Sequence, residues 1–375
     1  MILPRHYSDL EKFLQHGKVL LLFGPRQVGK TTLLRHFISS TSYRYRFDTG
    51  DDIRVHEVLG SQRLDLISEY VQGLDMVIID EAQRVPHIGL ALKMMVDHHP
   101  ELKIIATGSS SFELAGQTGE PLTGRKRSLT LMPMSQMELC SLYNPYDLKQ
   151  RLEEFLVFGS YPEVCTSDTI GSKTLVLNEI TNSYLLKDIL ELERVKGSKI
   201  LLDLLRLLAF QVGNEVALNE LSKKLGIDLK TVGRYIDLLE KSFIIFNLRG
   251  FSRNLRTEIT KKSKYYFYDN GIRNALIANL NPMGLRNDQG QLWENFIIME
   301  RIKSQTYKQV LVNRFFWRTW EKKEIDLIEE REGRLYAYEF KFANKEMKAP
   351  GLWKENYPGS EFRVINPENY IDFVQ

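Results

Sequence analysis

Hydrophobic positions along the chain fall into blocks of different period. Near the amino terminus the apolar residues run continuously: "VLLLF" at Val19–Phe23, "MVII" at Met76–Ile79, then "LKIIATG", with another apolar stretch inside "LTGRKRSLTLMP". Short continuous runs bounded by turn residues predict buried strands of a parallel sheet. From Tyr143 onward the spacing turns helical. Leu148, Leu152, Phe155 and Leu156 form a stripe that breaks at Gly159–Pro162, and "KILLDLLRLLAFQVG" is apolar on nearly every side, as in a core helix. "ALNELSKKLGIDLKTVGRYIDLLEK" predicts a helix, a turn at Gly226–Asp228 and a second helix whose Val232, Ile236 and Leu239 face the core. "NDQGQLWENFIIMERIKSQ" is a further helix, with Leu292, Trp293, Phe296 and Ile297 apolar and Glu294 beside them, an awkward place for an unpaired carboxylate. Gly333 in "REGR" then turns the chain so that "EIDLI" and "YAYEFKF" form a hairpin. In "LYAYEFKFANK" the residues Tyr336, Tyr338, Phe340 and Phe342 share one face, and Ala337, Glu339 and Lys341 the other.

The link between the first strand and the first helix is chemically specific. Gly24, Pro25, Arg26, Gln27, Val28, Gly29, Lys30 and Thr31 fit the phosphate-loop pattern G-x-x-x-x-G-K-[ST], with Thr32 following. Glycines let backbone N–H groups curl around an anion, and the helix amino terminus adds partial positive charge. Lys30 would reach the β- and γ-phosphates of ATP, and the Thr31 hydroxyl would ligate Mg²⁺. The strand "MVIID" ends in Asp80 and Glu81, the acids such a site needs: Asp80 to hold Mg²⁺ through water, Glu81 to polarise the attacking water. Thr107 and Ser109, at the end of the third strand, stand where a γ-phosphate sensor would sit, although such residues also cap helices. Arg125, beside Lys126 and Arg127, is a candidate arginine finger for a neighbouring subunit's nucleotide. A solvated basic loop or a phosphate-binding patch would use the same residues.

Composition narrows the class. At 375 residues the chain suits two or three domains, and 43% hydrophobic with 26% charged residues is ordinary for a globular protein. A net charge of +3 means that affinity for nucleic acid must come from local clustering. The clustering occurs in the middle of the chain. Lys230 and Arg234 point outward near the start of the second helix of the helix-turn-helix pattern, and Arg253, Arg256, Lys261, Lys262 and Lys264 lie between two apolar strands, as a basic wing would. Together these predict a winged helix-turn-helix that contacts DNA mainly through phosphates. A protein-binding winged helix with solvated charges has the same pattern. Cys140 and Cys165 match no metal-ligand spacing and suit a reduced, cytoplasmic setting. The longest apolar run is too short to span a bilayer, so no membrane partner is expected.

The order of phosphate loop, Asp-Glu strand, polar sensor strand and arginine resembles that of the AAA+ ATPases, which implies a homo-oligomeric ring with active sites between subunits. A helical Glu294, a strand Asp326 and the Glu339-x-Lys341 of the next strand resemble the PD-(D/E)XK nuclease fold. "GPRQVGKTTLL", "IIDEAQRVP", "GSYPEV", "YLLKDI" and "YYFYDNGI" further resemble segments of the AAA-14/DUF4143 ATPases. The resemblance implies an α/β chain with an AAA+ parallel-sheet core and small helical lid over 1–165. A helical linker and winged helix would follow over 166–285, and a restriction-endonuclease-like α/β domain over 286–375. By the nuclease resemblance, Asp326 and Glu339 would bind Mg²⁺, Glu294 would be an outer ligand and Lys341 would orient or activate water. An ion-paired hairpin would keep the same residues.

Two functions follow. One is an ATP-hydrolysing AAA+ protein coupled to DNA binding or remodelling, with or without Mg²⁺-dependent cutting. The other is a nucleotide-dependent switch or scaffold whose later domains only bind partners.

Overall fold

The computed structural model describes residues 3–109, 122–184, 198–251, 263–319, 321–344 and 347–375. They form two compact units. One comprises Arg5–Met132 with Lys241–Phe243; the other comprises Met1–Pro4, Pro133–Glu240 and Ile244–Gln375.

The first unit is built on five parallel strands: β1 (Val19–Phe23), β2 (Tyr45–Thr49), β3 (Met76–Asp80), β4 (Lys103–Gly108) and β5 (Lys126–Thr130). Their spatial order is β2-β3-β4-β1-β5. All five residues of β1 and all five of β3 are buried, which is why those runs show no alternation. On one face Val19, Leu21, Val77, Ile79, Ile104 and Ala106 join the hydrophobic core with Leu92 and Met95 of the helix Ile88–His98. Parallel strands all end at the same edge, so the loops after β1, β3 and β4 meet there. Because β4 lies between β1 and β3, the end of β4 lies beside both the phosphate loop and Asp80.

The second unit carries seven strands: β6 (Glu215–Val216), β7 (Ile245–Gly250), β8 (Ser263–Phe267), β9 (Asn313–Arg318), β10 (Glu324–Arg331), β11 (Arg334–Phe340) and β12 (Glu361–Ile365). They form a single sheet in the order β12-β11-β10-β9-β7-β8-β6. Strands of the middle region thus continue directly into those of the carboxy-terminal region, β7 pairing with β9 through Arg249↔Phe315 and Gly250↔Phe316. The β10–β11 hairpin forms as the pattern predicts, with Glu332 and Gly333 both at positive φ in its turn. Both of its faces are covered, where the alternation predicts aromatics on the core face alone. Ala337 packs with Ile325, Ile328, Trp317 and Trp353, while Tyr338 and Phe340 meet Phe373 of the helix Tyr370–Val374. The helix-turn-helix pattern appears as helices Leu218–Leu225 and Leu229–Lys241, with Gly226 left-handed between them.

Two of the sequence segments that mark the chain are held together by a buried polar centre. Gly159 and Ser160 of "GSYPEV" lie against Asp269 of "YYFYDNGI": Ser160 N donates to Asp269 Oδ2 at 2.7 Å, and Ile272 N donates to Oδ1 at 3.2 Å. Asn274 Nδ2 donates to the Leu156 and Val157 carbonyls. Lys303, on the helix Gln289–Tyr307, lies in the same centre and donates to Met134 O, Ser160 Oγ and Glu300 Oε1 at 3.1, 3.1 and 2.7 Å. Most of "YLLKDI", from Leu185, lies outside the described residues.

Gly159 has φ +72, and a Cβ there would stand 2.0 Å from Asp269 Oδ1. Gly159→Ala should therefore lower the stability of this unit by about 3 kcal/mol, through backbone strain and displacement of a buried carboxylate. Urea unfolding followed by tryptophan fluorescence checks this, since Trp293, Trp317 and Trp353 belong to the second unit. An unchanged midpoint would contradict it.

Candidate nucleotide site and carboxy-terminal charge cluster

The phosphate loop closes around its own lysine. Gly24 has φ +146, and a Cβ there would be 1.9 Å from the carbonyl oxygen of Leu131, so only glycine fits where the loop leaves β1. Gln27 and Gly29 also take positive φ, and Gly29 caps the helix Lys30–Ser40. Lys30 is buried, its Nζ donating to Gly24 O at 2.8 Å and Pro25 O at 2.9 Å. Pro25 and Val28 are buried, Arg26 and Gln27 half-buried, and Thr32 exposed in the first helical turn. Arg5 spans the loop's far side, donating to Val28 O at 2.6 Å and Met132 O at 2.5 Å.

Asp80 is the hub of the site. Thr31 Oγ1 donates to its Oδ2 at 2.6 Å, and Thr107 Oγ1 donates to its Oδ1. Thr107 also accepts from the Glu81 backbone N–H at 3.1 Å. Glu81 is left-handed, with φ +50. Its carbonyl oxygen lies 2.3 Å from where a Gly50 Cβ would be, so a glycine after β2 makes room for this turn. The Glu81 carboxylate accepts from Gln83 Nε2 at 2.6 Å, and the same amide donates to Ser109 Oγ at 3.2 Å. Thr31 hydroxyl and Asp80 carboxylate are adjacent hard oxygens of the kind Mg²⁺ takes, and Lys30 and the loop amides suit polyphosphate. The residues present fit Mg²⁺-ATP: Thr31 and Asp80 would hold the metal, which would neutralise phosphate charge. Arg125 is paired with Asp97, Nε to Oδ1 at 2.6 Å, and is 40% exposed as a side chain.

In the second unit Glu294, Asp326, Glu339 and Lys341 do gather, but another lysine stands among them. Lys264 is 2% exposed, its ammonium 3.3 Å from Glu294 Oε1 and also paired with Glu324. Its place in the basic wing is therefore corrected: the side chain turns into the sheet, where two carboxylates neutralise it, and it cannot reach a phosphate backbone. Burial works against its charge, yet Glu294 and Glu324 outweigh that and raise its pKa. Glu294 also accepts from Tyr266 Oη at 2.6 Å, so the carboxylate beside the apolar stripe is doubly partnered. Asp326 sits at a β-bulge, where β10 takes three steps between Ile325 and Ile328 while β9 takes two between Trp317 and Phe315. Its Oδ2 accepts from Phe340 N at 2.7 Å. Burial, then Glu294 and Glu339, push its pKa well above the usual carboxyl range. Glu339 is raised as well, mainly by burial, against the opposing pull of Lys341 at 2.7 Å. Lys341 keeps its charge because Glu339 outweighs burial. No three acids, histidines or cysteines among the described residues are spaced to share a metal ion, and the ammonium of Lys264 stands between Glu294 and Glu324.

Of the residues predicted to contact nucleic acid, Lys230 and Arg234 are exposed on the helix Leu229–Lys241. Arg253, Arg256, Lys261 and Lys262 lie outside the described residues.

Residues 16–140 match the family model of an AAA domain, 149–284 match a domain of unknown function, DUF8612, and 289–366 match another, DUF4143. The phosphate loop, Asp80 and Glu81 thus lie inside the stretch that is similar to an AAA domain. An uncharacterized protein of Mycobacterium tuberculosis is 27% identical over 343 residues, covering 89% of this chain and 72% of the relative. One from Haemophilus influenzae is 29% identical over 304 residues, 74% of each chain. One from Methanocaldococcus jannaschii is 23% identical over 312 residues, 78% of this chain and 68% of its own. Among solved structures, the replication initiator DnaA bound to AMPPCP and single-stranded DNA aligns over 63% of this chain and 86% of that one. Its identity is 14% and its TM-score 0.30. A STAND protein with a tetratricopeptide repeat sensor from Pyrococcus horikoshii aligns over 81% and 46%, at 12% identity and TM-score 0.29. No helix among the described residues is long and apolar enough to cross a membrane.

Within the first unit the sequence pattern names the loop and the acids but misses Arg5, Gly50 and Gln83. Arg5 lies before any motif. Gly50 and Gln83 gain their roles only when β2, β3 and β4 align. Tyr266 is equally invisible, one aromatic among several in "KYYFYD".

Asp326 holds its proton more tightly folded than unfolded, so above the unfolded carboxyl pKa of about 4 its burial lowers stability as pH rises. Asp326→Asn keeps an acceptor for Phe340 N and removes that cost. The variant should melt a few degrees above wild type at pH 8, about 1 kcal/mol, with the gap closing towards pH 4. Thermal melts at both pH values test this; a variant less stable at pH 8 would refute it.

Proposed function

We propose that this protein is an ATP-hydrolysing AAA-type protein that works as a homo-oligomeric ring and couples nucleotide turnover to DNA binding. The observation that carries the ATPase reading is the meeting of Thr31, Thr107 and Glu81 around Asp80, beside the buried Lys30. Thr31 and Asp80 hold the metal, Lys30 and the loop amides hold the phosphates, Glu81 polarises the attacking water, and Thr107 serves as sensor. Arg125 acts as a finger only by exchanging Asp97 for a neighbouring subunit's nucleotide. DNA meets the second unit at the two helices and the strands β6, β7 and β8, read as a winged helix-turn-helix, through Lys230 and Arg234. The work is cytoplasmic.

The second unit supports binding rather than cutting. Lys264 fills the cation position among Glu294 and Glu324, and Asp326 is engaged by the β11 backbone. That observation favours the second reading for this region, a scaffold that docks DNA or protein without Mg²⁺-dependent cleavage.

The deciding measurement is the ATPase rate of the purified protein, alone and with single-stranded, duplex and branched DNA. Lys30→Ala should reduce Mg²⁺-dependent turnover by on the order of 100-fold or more; undiminished turnover in that variant refutes the assignment. Lys230→Glu combined with Arg234→Glu should weaken DNA binding and lower its salt slope by about one for each lost phosphate contact. Turnover indifferent to every DNA form, with binding unchanged in the double variant, would leave the nucleotide switch.

A further inference from the structure

The short turn after β3 (Ala82–Arg84) buries a carboxamide that the reading above does not use. Gln83 is 7% exposed. The two donations of its Nε2, to Glu81 Oε2 and Ser109 Oγ, use both amide hydrogens. Its Oε1 is buried and has no hydrogen-bond partner among the described residues.

A packing role does not account for this arrangement. Methionine would fill the same volume without desolvating a carboxamide, a penalty of about 1–3 kcal/mol for each polar atom that finds no partner. Such a group persists where its other end does something an apolar side chain could not. Here the other end grips the carboxylate best placed to polarise water. Glu81 has its backbone fixed through Thr107 and its side chain fixed through Gln83, so two independent hydrogen bonds aim one carboxylate. Ser109, just past the end of β4, shares the same amide, so the end of the sensor strand and the Glu81 side chain are tied to one group.

We propose that Gln83 is the positioning residue for Glu81, a bridge that sets the carboxylate's orientation for hydrolysis and links it to Ser109. The inference rests on the ATPase reading and deepens it. Gln83 acts through Glu81 and contributes nothing to nucleotide binding.

Gln83→Met preserves volume and removes both donations; Gln83→Glu preserves shape and replaces the donor with a like charge. The steady-state kcat and KM for Mg²⁺-ATP, and the Kd of a fluorescent ATP analogue, are measured for both and for wild type. In both variants kcat should fall by on the order of 10- to 100-fold, the range of general acid–base contributions, while KM and Kd stay within about threefold. The same change in a Glu81→Gln background should lower the residual rate by less than about twofold, since residues acting as a unit are not additive. Wild-type kcat in Gln83→Met overturns the inference, as does an equal loss in both backgrounds or a matching loss of nucleotide affinity. If one variant fails to fold, the other carries the same comparison. A wild-type protein that binds ATP without hydrolysing it overturns the ATPase reading, and this inference with it.

Discussion

Two hydroxyl hydrogens converge on the carboxylate of Asp80, and the candidate nucleotide site is organised around that fact. Thr31 comes from the helix after β1, Thr107 from β4 and Asp80 from β3. Three elements far apart in sequence are thus locked by bonds to one acidic group, each charge-assisted and stronger than a neutral hydrogen bond. Thr107 then accepts from Glu81 N–H, passing the constraint one residue further. The strand order makes this possible: with β4 between β1 and β3, its last residues lie within reach of both the phosphate loop and the acids.

The second unit handles buried charge in a comparable way, with lysines inside. Lys264 is held by Glu294 and Glu324, and Lys303 by Glu300, Ser160 and the Met134 carbonyl. Arg301 closes a further pair, its two donations to Glu329 at 2.8 and 3.0 Å accompanied by one to the Phe373 carbonyl. Buried pairs of this kind add little net stability compared with apolar residues, but removing one partner is severe because it strands the other charge. They therefore fix where helix 289–307 lies against the sheet more than they strengthen the unit. The carboxylates that resemble a metal site belong to the same economy of internal neutralisation.

Much of the first unit is legible in the chain because its constraints are local. A glycine at Gly24 and a lysine six residues later are enforced by one loop, and the acids at positions 80 and 81 close one buried strand. The carboxy-terminal hairpin is legible for the same reason, through alternation and Gly333. The side chains whose meaning changes on folding are those whose partners come from elsewhere. Lys264 reads as a surface cation among other basic residues, and only the approach of helix 289–307 to β8 shows it enclosed by acids. Gln83 reads as one polar residue in a turn, until β4 brings Ser109 beside it.

The sequence by itself therefore determined the phosphate loop, the Asp80–Glu81 pair, the buried parallel strands and the hairpin that carries Glu339 and Lys341, because period and short motifs encode interactions between near neighbours. Tertiary structure alone decided which charges are free and which are neutralised, that strands of the middle and last regions share one sheet, and which residues aim Glu81. Those outcomes depend on pairings across scores of residues, and a side chain's chemistry depends on the groups that surround it once water has been excluded.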